Sequence, residues 1–571
     1  MRKMAENRWR RPKFTARIDL LVVASLWFIS LAMINPLGEF PLNDDWSFGL
    51  TVKHFLDFGD FRPIGWTSMP LITHVLWGSI FCIPMGFSFE ALRFSTITIA
   101  LVGILGSYCL IRELNRSRRV AAIIAFTIAF NPIYYALSNT FMTDVPFTAI
   151  MIFAVLFFAR SLRSNSDFDL FVGSILIVAA TLNRQLGLAV ALAFGLSFVL
   201  KNGFAIRVIA RAIMPSLLCI GTLLAFGQWL TATGRLPVLY NAKSDALMNA
   251  LTDPKMLSDF AENAFNALLY LGWFLLPILI FIFGDIWFRL KKKAAIRLKL
   301  LIFISILTAL LSFNLWLKSR HLMPLSGNII NTAGIGPLTL CDTYLLHAFP
   351  HVAKLSATFW LIITGFSLLG GALLISTCGI IGIRLFPESL PGKMNSRQTV
   401  PLFFLGSAGI YMIPILINGF FDRYLIPIIP LLAASVASLS VKDYTQPQKT
   451  KEKFFSMVAW VLIGLFFIFA VCSTRDYLTW NRARWLILED LLESKHVEAK
   501  DIDGGFEFNG LHLYNSNYQR KPDKSWWWVY RDTFVVAFGA IPDYSVIRKI
   551  TYRKWMPPHY DSIMLLKKRK R

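Results

Sequence analysis

Long apolar runs, separated by short polar breaks, constrain this chain more than any other feature of its sequence. Many runs approach about 20 residues, the length that an α-helix needs to cross the hydrocarbon core of a bilayer. The apolar residues come in blocks and do not alternate with polar ones as they would in a half-buried strand. Hydrophobic residues make up 55% of the chain, and the mean hydropathy is +0.54. These features predict a polytopic α-helical membrane protein.

The lengths of the runs predict thirteen transmembrane helices. Their expected positions are 17–36, 92–111, 120–138, 145–162, 169–182, 186–200, 208–230, 264–288, 298–317, 357–384, 399–418, 424–440 and 455–474. The break "NRQ" at 183–185 divides an apolar run too long for one helix, which indicates two short helices joined by a hairpin. The apolar segment 70–87 is expected to lie in the outer interface, because a span there would reverse the side of every later loop.

Clusters of Lys and Arg set the expected orientation. The basic segments "RELNRSRR", "RLKKKAAIRLK" and "VKDYTQPQKTKEK" share one side with the basic N-terminal residues, and this side should be cytoplasmic. The first apolar run is then a retained helix and not a signal peptide. The net charge of +24 fits a basic cytoplasmic face better than a nucleic-acid partner. We therefore expect a multi-pass protein of the cell inner (cytoplasmic) membrane.

Two domains are expected. Residues 1–474 form the transmembrane domain, with a long first outer loop at 37–91. Residues 475–571 are polar and aromatic and contain no spanning segment, so they predict a small α+β domain, which helix parity places outside. The terminal "KKRKR" argues against that side, because such clusters are usually cytoplasmic. The six cysteines are scattered singly and predict neither a zinc site nor a disulfide framework.

Two acidic sites stand at the expected outer edge of the membrane. Asp44 and Asp45 in "NDDWSFG" follow the first helix directly. They could simply cap the amphipathic stretch that comes next, since acids favour helix N-termini. Asp144 in "SNTFMTDVPF" begins the fourth helix after a loop too short to carry it from the membrane surface. A carboxylate there is costly unless it is paired or faces a hydrated cavity, so the two sites are expected to converge on one cleft.

The sequence resembles the GT-C superfamily of integral membrane glycosyltransferases. The branch concerned contains the protein O-mannosyltransferases and the bacterial aminoarabinose transferase of lipid A. The resemblance rests on the acidic pair after the first helix, followed in order by "GWTSMPL", "EALRFSTI", "ALSNTFMTDVPF", "LNRQLGL" and "NGFFDRYLIPIIP". It implies transfer of a sugar, with inversion, from a polyprenyl-phosphate donor to a lipid, glycan or protein acceptor at the outer membrane face.

The resemblance also implies roles for individual residues. Asp44 matches the family's first-loop acid and would act as general base. Asp45 would orient a substrate or contact a metal, and Asp144 would orient the acceptor or bind that metal. A divalent metal ion therefore remains open as a cofactor. Ser47 stands where the aminoarabinose branch carries Arg, so that branch's donor specificity does not transfer directly.

Cations are expected for the donor phosphate. The candidates are Arg62, Arg184 and Arg423, with Tyr424 beside the last. Each has a plainer alternative: solvation for Arg62, snorkelling for Arg184, and a pair with Asp422 for Arg423. The segment "SMP" (68–70) stands where the family usually has Pro-Pro after a basic residue. Two alternatives follow: Arg62 substitutes for the missing cation, or the phosphate contact differs from that of the family.

Two further groups fit structural roles better than functional ones. His321, His347, His351 and Asp342 fit ordinary loop residues better than a shared metal site. The aromatic run "WWWVY" (526–530) fits a membrane anchor or a domain core better than a glycan-stacking surface. Two other function classes share the general features: a transporter or flippase of lipid-linked sugars, and an oligosaccharide polymerase or ligase.

Overall fold

The computed structural model describes residues 14–290, 294–318, 322–345, 351–385, 394–440 and 446–569. The expectations for the N-terminal residues 1–13, for His321 and His347, and for the last two residues of the "KKRKR" tail lie outside these ranges. The helices are α1 Phe14–Ile34, α2 Asp45–Phe58, α3 Ile72–Met85, α4 Phe89–Glu113, α5 Arg118–Ala129, α6 Pro132–Ser138, α7 Asp144–Ser164, α8 Asp167–Thr181, α9 Leu188–Asn202, α10 Ile206–Ala232, α11 Ala242–Thr252, α12 Met256–Arg289, α13 Ala294–Leu317, α14 Cys341–Leu345, α15 Ala357–Leu385, α16 Ser396–Asn418, α17 Ile428–Ala437, α18 Gln446–Glu489 and α19 Phe506–Leu513. The strands are β1 Ile330–Asn331, β2 Gly334–Ile335, β3 Ile502–Asp503, β4 Phe534–Ala537, β5 Tyr544–Trp555 and β6 Pro558–Lys568.

The helical part has the character of a multi-pass membrane protein. Within the described ranges, nine helices are long and apolar enough to cross a bilayer, or ten if α5 and α6 form one bent span. A helix occupies the position of each predicted span. However, α8 has 15 residues and α17 only 10, fewer than the roughly 20 needed to cross a bilayer alone. The expected α-helical membrane fold is confirmed, and the count of thirteen spans is not.

The predicted helix 120–138 is broken in the structure. α5 and α6 meet at an angle of 61°. Asn131 ends the first helix and caps the second, since its side chain accepts hydrogen bonds from the backbone N–H groups of Ile133 and Tyr134. Pro132 occupies the first helical position, where its missing N–H costs nothing. The predicted span 120–138 thus consists of two helices, because this start signal lies inside a continuous apolar run.

Close helix packing stabilises the centre of the bundle. α12 lies against α15 at a pair of glycine sites, and a Cβ at Gly272 would lie only 2.2 Å from the backbone nitrogen of Gly371. Small residues allow such close approach of two backbones in a membrane protein. By contrast, α10 and α13 lie at the edge of the bundle and expose apolar side chains such as Leu224 and Trp316.

The C-terminal part, expected to be α+β, contains a small mixed sheet. Its strands lie in the order β3-β4-β6-β5, with β3 parallel to β4 and the other neighbours antiparallel. α18 runs through the predicted domain boundary at residue 474 and ends at Glu489, so a continuous helix joins the two regions. α19 packs on α2 so closely that a Cβ at Gly510 would lie 2.4 Å from the Trp46 ring. We call residues 475–571, which include α19 and this sheet, the sheet region. Through α19, the sheet region lies directly against the first loop.

Candidate active site

Asp44 and Asp144 line one cavity of about 310 Å³, as expected from their positions in the sequence. Arg184, Arg423 and Tyr424 line the same cavity. The C-terminal region contributes part of the wall, through Phe506, Trp526 and Trp527. The prediction that the two acids converge on one cavity facing residues 475–571 is confirmed, while their chemical roles stay predictions.

Asp44 stands at the N-cap position of α2 but does not cap the helix. Its side chain makes no hydrogen bond to the backbone of the first turn. Instead, Oδ1 accepts a hydrogen bond of 3.1 Å from the Trp66 indole N–H, and Oδ2 lies 3.4 Å from Nη1 and Nη2 of Arg423. The side chain is 19% exposed. The carboxylate is therefore directed into the cavity, and the capping alternative does not describe it.

Asp144 and Arg184 form a buried ion pair at the start of α7. Oδ1 of Asp144 accepts a hydrogen bond from Arg184 Nη1, and the Asp144 side chain is 1% exposed. The positive end of the α7 helix dipole also favours a carboxylate in this first turn. Oδ2 has no hydrogen-bond partner among the described residues. Arg184 is thus paired with a buried carboxylate and does not snorkel.

Arg423 reaches Asp44 from the short helical turn that precedes α17. The neighbouring Asp422 does not pair with its side chain, because the Asp422 carboxylate accepts the backbone N–H groups of Ile329 and Ile330 at 2.8–3.1 Å. Burial raises the pKa of Asp422 to about 6. Burial alone would lower the pKa of Arg423, but the charges of Asp144 and Asp44 raise it above its usual value. Arg423 therefore stays cationic in the cavity.

The Tyr424 ring contacts both cations. The Cζ atoms of Arg184 and Arg423 lie 5.5 Å and 5.6 Å from its ring centroid, within the range of cation–π attraction. Gln185 donates a hydrogen bond of 3.1 Å to the carbonyl of Ser68, another residue of the cavity wall. The "NRQ" break thus fastens the α8–α9 hairpin to the first loop.

Asp45 does not line the cavity, which corrects its expected place in the site. It is 2% exposed, and its Oδ2 accepts the backbone N–H groups of Phe141 and Leu42 at 2.8 Å and 3.3 Å. Burial raises the pKa of its carboxyl group to about 8. Asp45 thus joins the first loop to the loop before Asp144 and holds the two acidic segments together.

The side chains of the cavity do not fit the expected metal site. Asp44 and Asp144 are each paired with a guanidinium, and Asp45 faces elsewhere. Among the described residues, no group of three or more His, Cys, Asp or Glu side chains converges as metal ligands would. Two acids already neutralised by arginines form a poor donor set for a divalent cation, which prefers several free oxygen ligands.

Two other expectations are settled by position. Arg62 is exposed and does not line the cavity, so it does not replace the cation missing from "SMP". Asp342 is buried, and its carboxylate accepts the backbone N–H groups of Phe538 and Gly539 at 3.1 Å. It joins its loop to the sheet region and is structural, as the sequence suggested.

Sequence reasoning missed most of the uncharged cavity wall. Asn43 and Asn328 are among the lining residues, and Trp66 donates a hydrogen bond to Asp44. Trp66 lies in the "GWTSMPL" motif, which was the available signal. Trp526 and Trp527 were expected in a membrane anchor or a domain core, and both line the cavity. No local sequence signal separates them from the third tryptophan of the run.

A protein-family model matches part of the chain. Residues 69–231 match the family model for dolichyl-phosphate-mannose-protein mannosyltransferase. This segment begins three residues after Trp66 and contains Asp144 and Arg184. The match agrees with the expected resemblance to the branch that contains the protein O-mannosyltransferases, and the described helices are those of a multi-pass membrane protein.

Two solved structures align with the chain at low sequence identity and a low TM-score. ArnT from Cupriavidus metallidurans bound to undecaprenyl phosphate aligns with a TM-score of 0.40 and 12% identity, over 85% of this chain and 73% of that chain. The archaeal oligosaccharyltransferase AglB from Archaeoglobus fulgidus, in complex with an inhibitory peptide and a dolichol-phosphate, aligns with a TM-score of 0.40 and 13% identity, over 81% of this chain and 56% of that chain. No curated protein sequence matches the chain.

Proposed function

We propose that this protein transfers a sugar from a polyprenyl-phosphate donor to an acceptor hydroxyl, with inversion at the anomeric carbon. The observation that carries the proposal is the single cavity in which Asp44 and Asp144 meet Arg184 and Arg423. A lipid, glycan or protein could present the hydroxyl. The family whose model matches is itself described by a polyprenyl-phosphate sugar, dolichyl-phosphate mannose.

The arginines suit the donor phosphate. Arg184 and Arg423 lie in the short connections between α8 and α9 and between α16 and α17, where the chain leaves apolar helices. A donor held there keeps its isoprenoid chain among the helices while its phosphate meets two guanidinium groups. Fixed cations stabilise the charge that develops on the leaving phosphate in the transition state. Arg423 also keeps a buried Nε–H without a partner among the described residues.

Asp44 suits the role of general base. As the acceptor oxygen attacks the anomeric carbon, Asp44 takes the hydroxyl proton. The new C–O bond forms while the bond from that carbon to the phosphate oxygen breaks, and the polyprenyl phosphate leaves with the electron pair. A single displacement inverts the anomeric centre. The free Oδ2 of Asp144 can orient the acceptor hydroxyl, while the Trp66 N–H holds Asp44 in place.

The expected topology completes the proposal. The N-terminus lies in the cytoplasm, and the cavity and the sheet region lie at the outer face of the inner membrane. The acceptor then reaches the cavity from outside, while the donor enters from the bilayer. This arrangement requires the basic loops to remain on the cytoplasmic side, as their Lys and Arg content favours.

The experiment compares envelope lipids and glycans by mass spectrometry in cells that lack the gene or carry it as wild type, Asp44→Asn or Arg62→Ala. We expect one product, heavier by the mass of a sugar, in the wild type and in the matched Arg62→Ala control, and none with Asp44→Asn. Identical products in all four strains would refute the proposed transfer. Movement of a lipid-linked sugar across the membrane without a new covalent product would instead identify a flippase.

A further inference from the structure

Three consecutive tryptophans of the sheet region face two different environments. Trp526 and Trp527 are partly exposed and line the cavity, whereas Trp528 is 2% exposed and packs in the interior. Trp528 has a φ of +64°, in the left-handed region that bulky residues rarely adopt. Its indole N–H donates to the carbonyl of Asn515. This turn directs the first two rings towards the cavity and the third away from it.

The tryptophans adjoin the proposed base. The rings of Trp526 and Trp527 are stacked at 29° with centroids 6.3 Å apart. Trp66 lies against Trp527 at 5.5 Å and donates its indole N–H to Asp44. We call Trp66, Trp526 and Trp527 the tryptophan wall. Its three aromatic rings line the cavity next to Asp44, and Trp66 contacts the carboxylate directly.

Three residues that line the same cavity carry buried polar atoms without hydrogen-bond partners among the described residues. Asn43 is 8% exposed, and its Nδ2 has no hydrogen-bond partner among the described residues. Oδ1 of Asn328 and Oδ2 of Asp144 are buried and equally without partners there. Buried polar atoms are costly when they are left unpaired, so this set of donors and acceptors is suited to a ligand that supplies hydrogen bonds. An aromatic surface bordered by such groups matches a pyranose ring, which has apolar C–H faces and a rim of hydroxyls.

We propose that the acceptor is a saccharide, or a lipid that carries one, and that its terminal ring binds on the tryptophan wall. This inference rests on the proposed function. A ring stacked on Trp527 can present a hydroxyl to Asp44, because Trp66 contacts both residues. The cavity of about 310 Å³ is at the lower end of the sizes of small-molecule sites. It suits a sugar ring better than an extended polypeptide.

Binding can be measured without turnover. We propose saturation-transfer difference NMR on the full-length protein in detergent, with methyl α-D-mannopyranoside, methyl β-D-glucopyranoside and methyl β-D-galactopyranoside as probes. A Ser/Thr-containing octapeptide serves as the alternative acceptor. The proteins are wild type, Trp527→Ala, Trp527→Phe and the matched control Trp316→Ala, which changes a tryptophan that is 68% exposed on α13. Each titration is repeated with saturating farnesyl phosphate mannose, which represents the donor.

We expect at least one glycoside to bind the wild type and Trp316→Ala equally, and Trp527→Ala about tenfold more weakly, because the ring loses its stacking surface. Trp527→Phe keeps an aromatic face and should lie between them. Farnesyl phosphate mannose should leave the glycoside bound. Displacement by it would assign the wall to the transferred sugar and overturn the proposal, as would peptide binding that depends on Trp527, or no glycoside binding at all.

The same variants separate this inference from the proposed function. If Trp527→Ala forms the product with unchanged dependence on acceptor concentration, the transferase stands and the tryptophan wall fails as an acceptor site. If glycosides bind through Trp527 but no strain forms a product, the binding site stands and the transferase fails. A higher acceptor KM with little change in kcat for Trp527→Ala supports both.

Discussion

Replacing Asp44 with Asn tests the central step, the removal of the acceptor's proton. The substitution is nearly isosteric, and the Asn oxygen can still accept the hydrogen bond from Trp66. What disappears is the basic oxygen and the charge that Arg423 contacts at 3.4 Å. A positioned general base typically contributes about 10²–10⁴-fold to the rate. We therefore expect kcat to fall by about that factor, while KM for the donor changes little.

The stability of this variant should hardly change. Asp44 and Arg423 are 19% and 12% exposed, and the two groups are at the outer limit of a hydrogen bond. A partly solvated pair of this kind contributes about 1 kcal/mol or less. The α2 helix loses no cap, because the Asp44 side chain does not cap it. Thermal unfolding in detergent should thus shift by only a few degrees.

The assay measures transfer from a radiolabelled polyprenyl-phosphate sugar by purified wild type, Asp44→Asn and Asp44→Glu protein, beside the unfolding temperature of each. Asp44→Glu keeps the carboxylate and should retain more activity than Asp44→Asn. If correctly folded Asp44→Asn protein turns over within threefold of the wild type, Asp44 is not the base and the reasoning from its geometry fails.

Three further predictions concern neighbouring residues. Arg184→Ala should lower the free energy of unfolding by about 3–5 kcal/mol, because it leaves Asp144 buried and unpaired. Arg62→Ala should change neither stability nor transfer. If Arg184→Ala unfolds at the same temperature as the wild type, the prediction is wrong. Burial raises the pKa of Asp45 from 3.8 to about 8, so unfolding releases a proton between these values and stability falls as pH rises through them. Asp45→Asn should flatten that pH dependence in unfolding scans, and an unchanged slope would refute the assignment. Glu507→Gln removes the charge from the buried pair with Arg484. It should lower kcat even at temperatures where the unfolding curve of the variant shows that it is folded.

Glu507 deserves this test because it connects the sheet region to the site. Its Oε2 accepts a hydrogen bond of 2.8 Å from Arg484, and both side chains are fully buried. Its Oε1 accepts the backbone N–H of Asn43 at 3.1 Å. Asn43 has a φ of +58° and directly precedes Asp44. Glu507 thus helps to hold the turn that directs Asp44 into the cavity.

The sequence indicated that Asp144 could not lie near the membrane as an isolated charge. Because such a charge is costly, Asp144 was expected to be paired or to face a hydrated cavity. The structure pairs it with Arg184, a partner that the sequence analysis did not name. The helices were predictable for a similar reason, since an apolar run of sufficient length has few alternatives. The break at Pro132 and the extension of α18 to Glu489 were not predicted. Hydropathy identifies apolar runs, but it does not detect a helix cap inside a run or a helix that continues beyond one.

The sequence could not decide which of two adjacent acids faces the cavity. Asp44 and Asp45 have the same chemistry, and their directions depend on the turn at Asn43, which contacts Glu507 464 positions away in the chain. The division among Trp526, Trp527 and Trp528 likewise depends on one left-handed residue. The directions of these side chains depend on tertiary contacts, so a local sequence pattern does not predict them.

The shared wall of the cavity has a consequence for how the protein is made. Both acids and both arginines have been synthesised once the ribosome passes Tyr424, but Phe506, Trp526 and Trp527 follow only after roughly another hundred residues. A nascent chain at that intermediate stage has its cations and carboxylates without the aromatic side of the cavity. Synthesis order therefore separates the charged side of the cavity from its aromatic side, so the cavity is complete only when residues 475–571 have folded back onto the first loop.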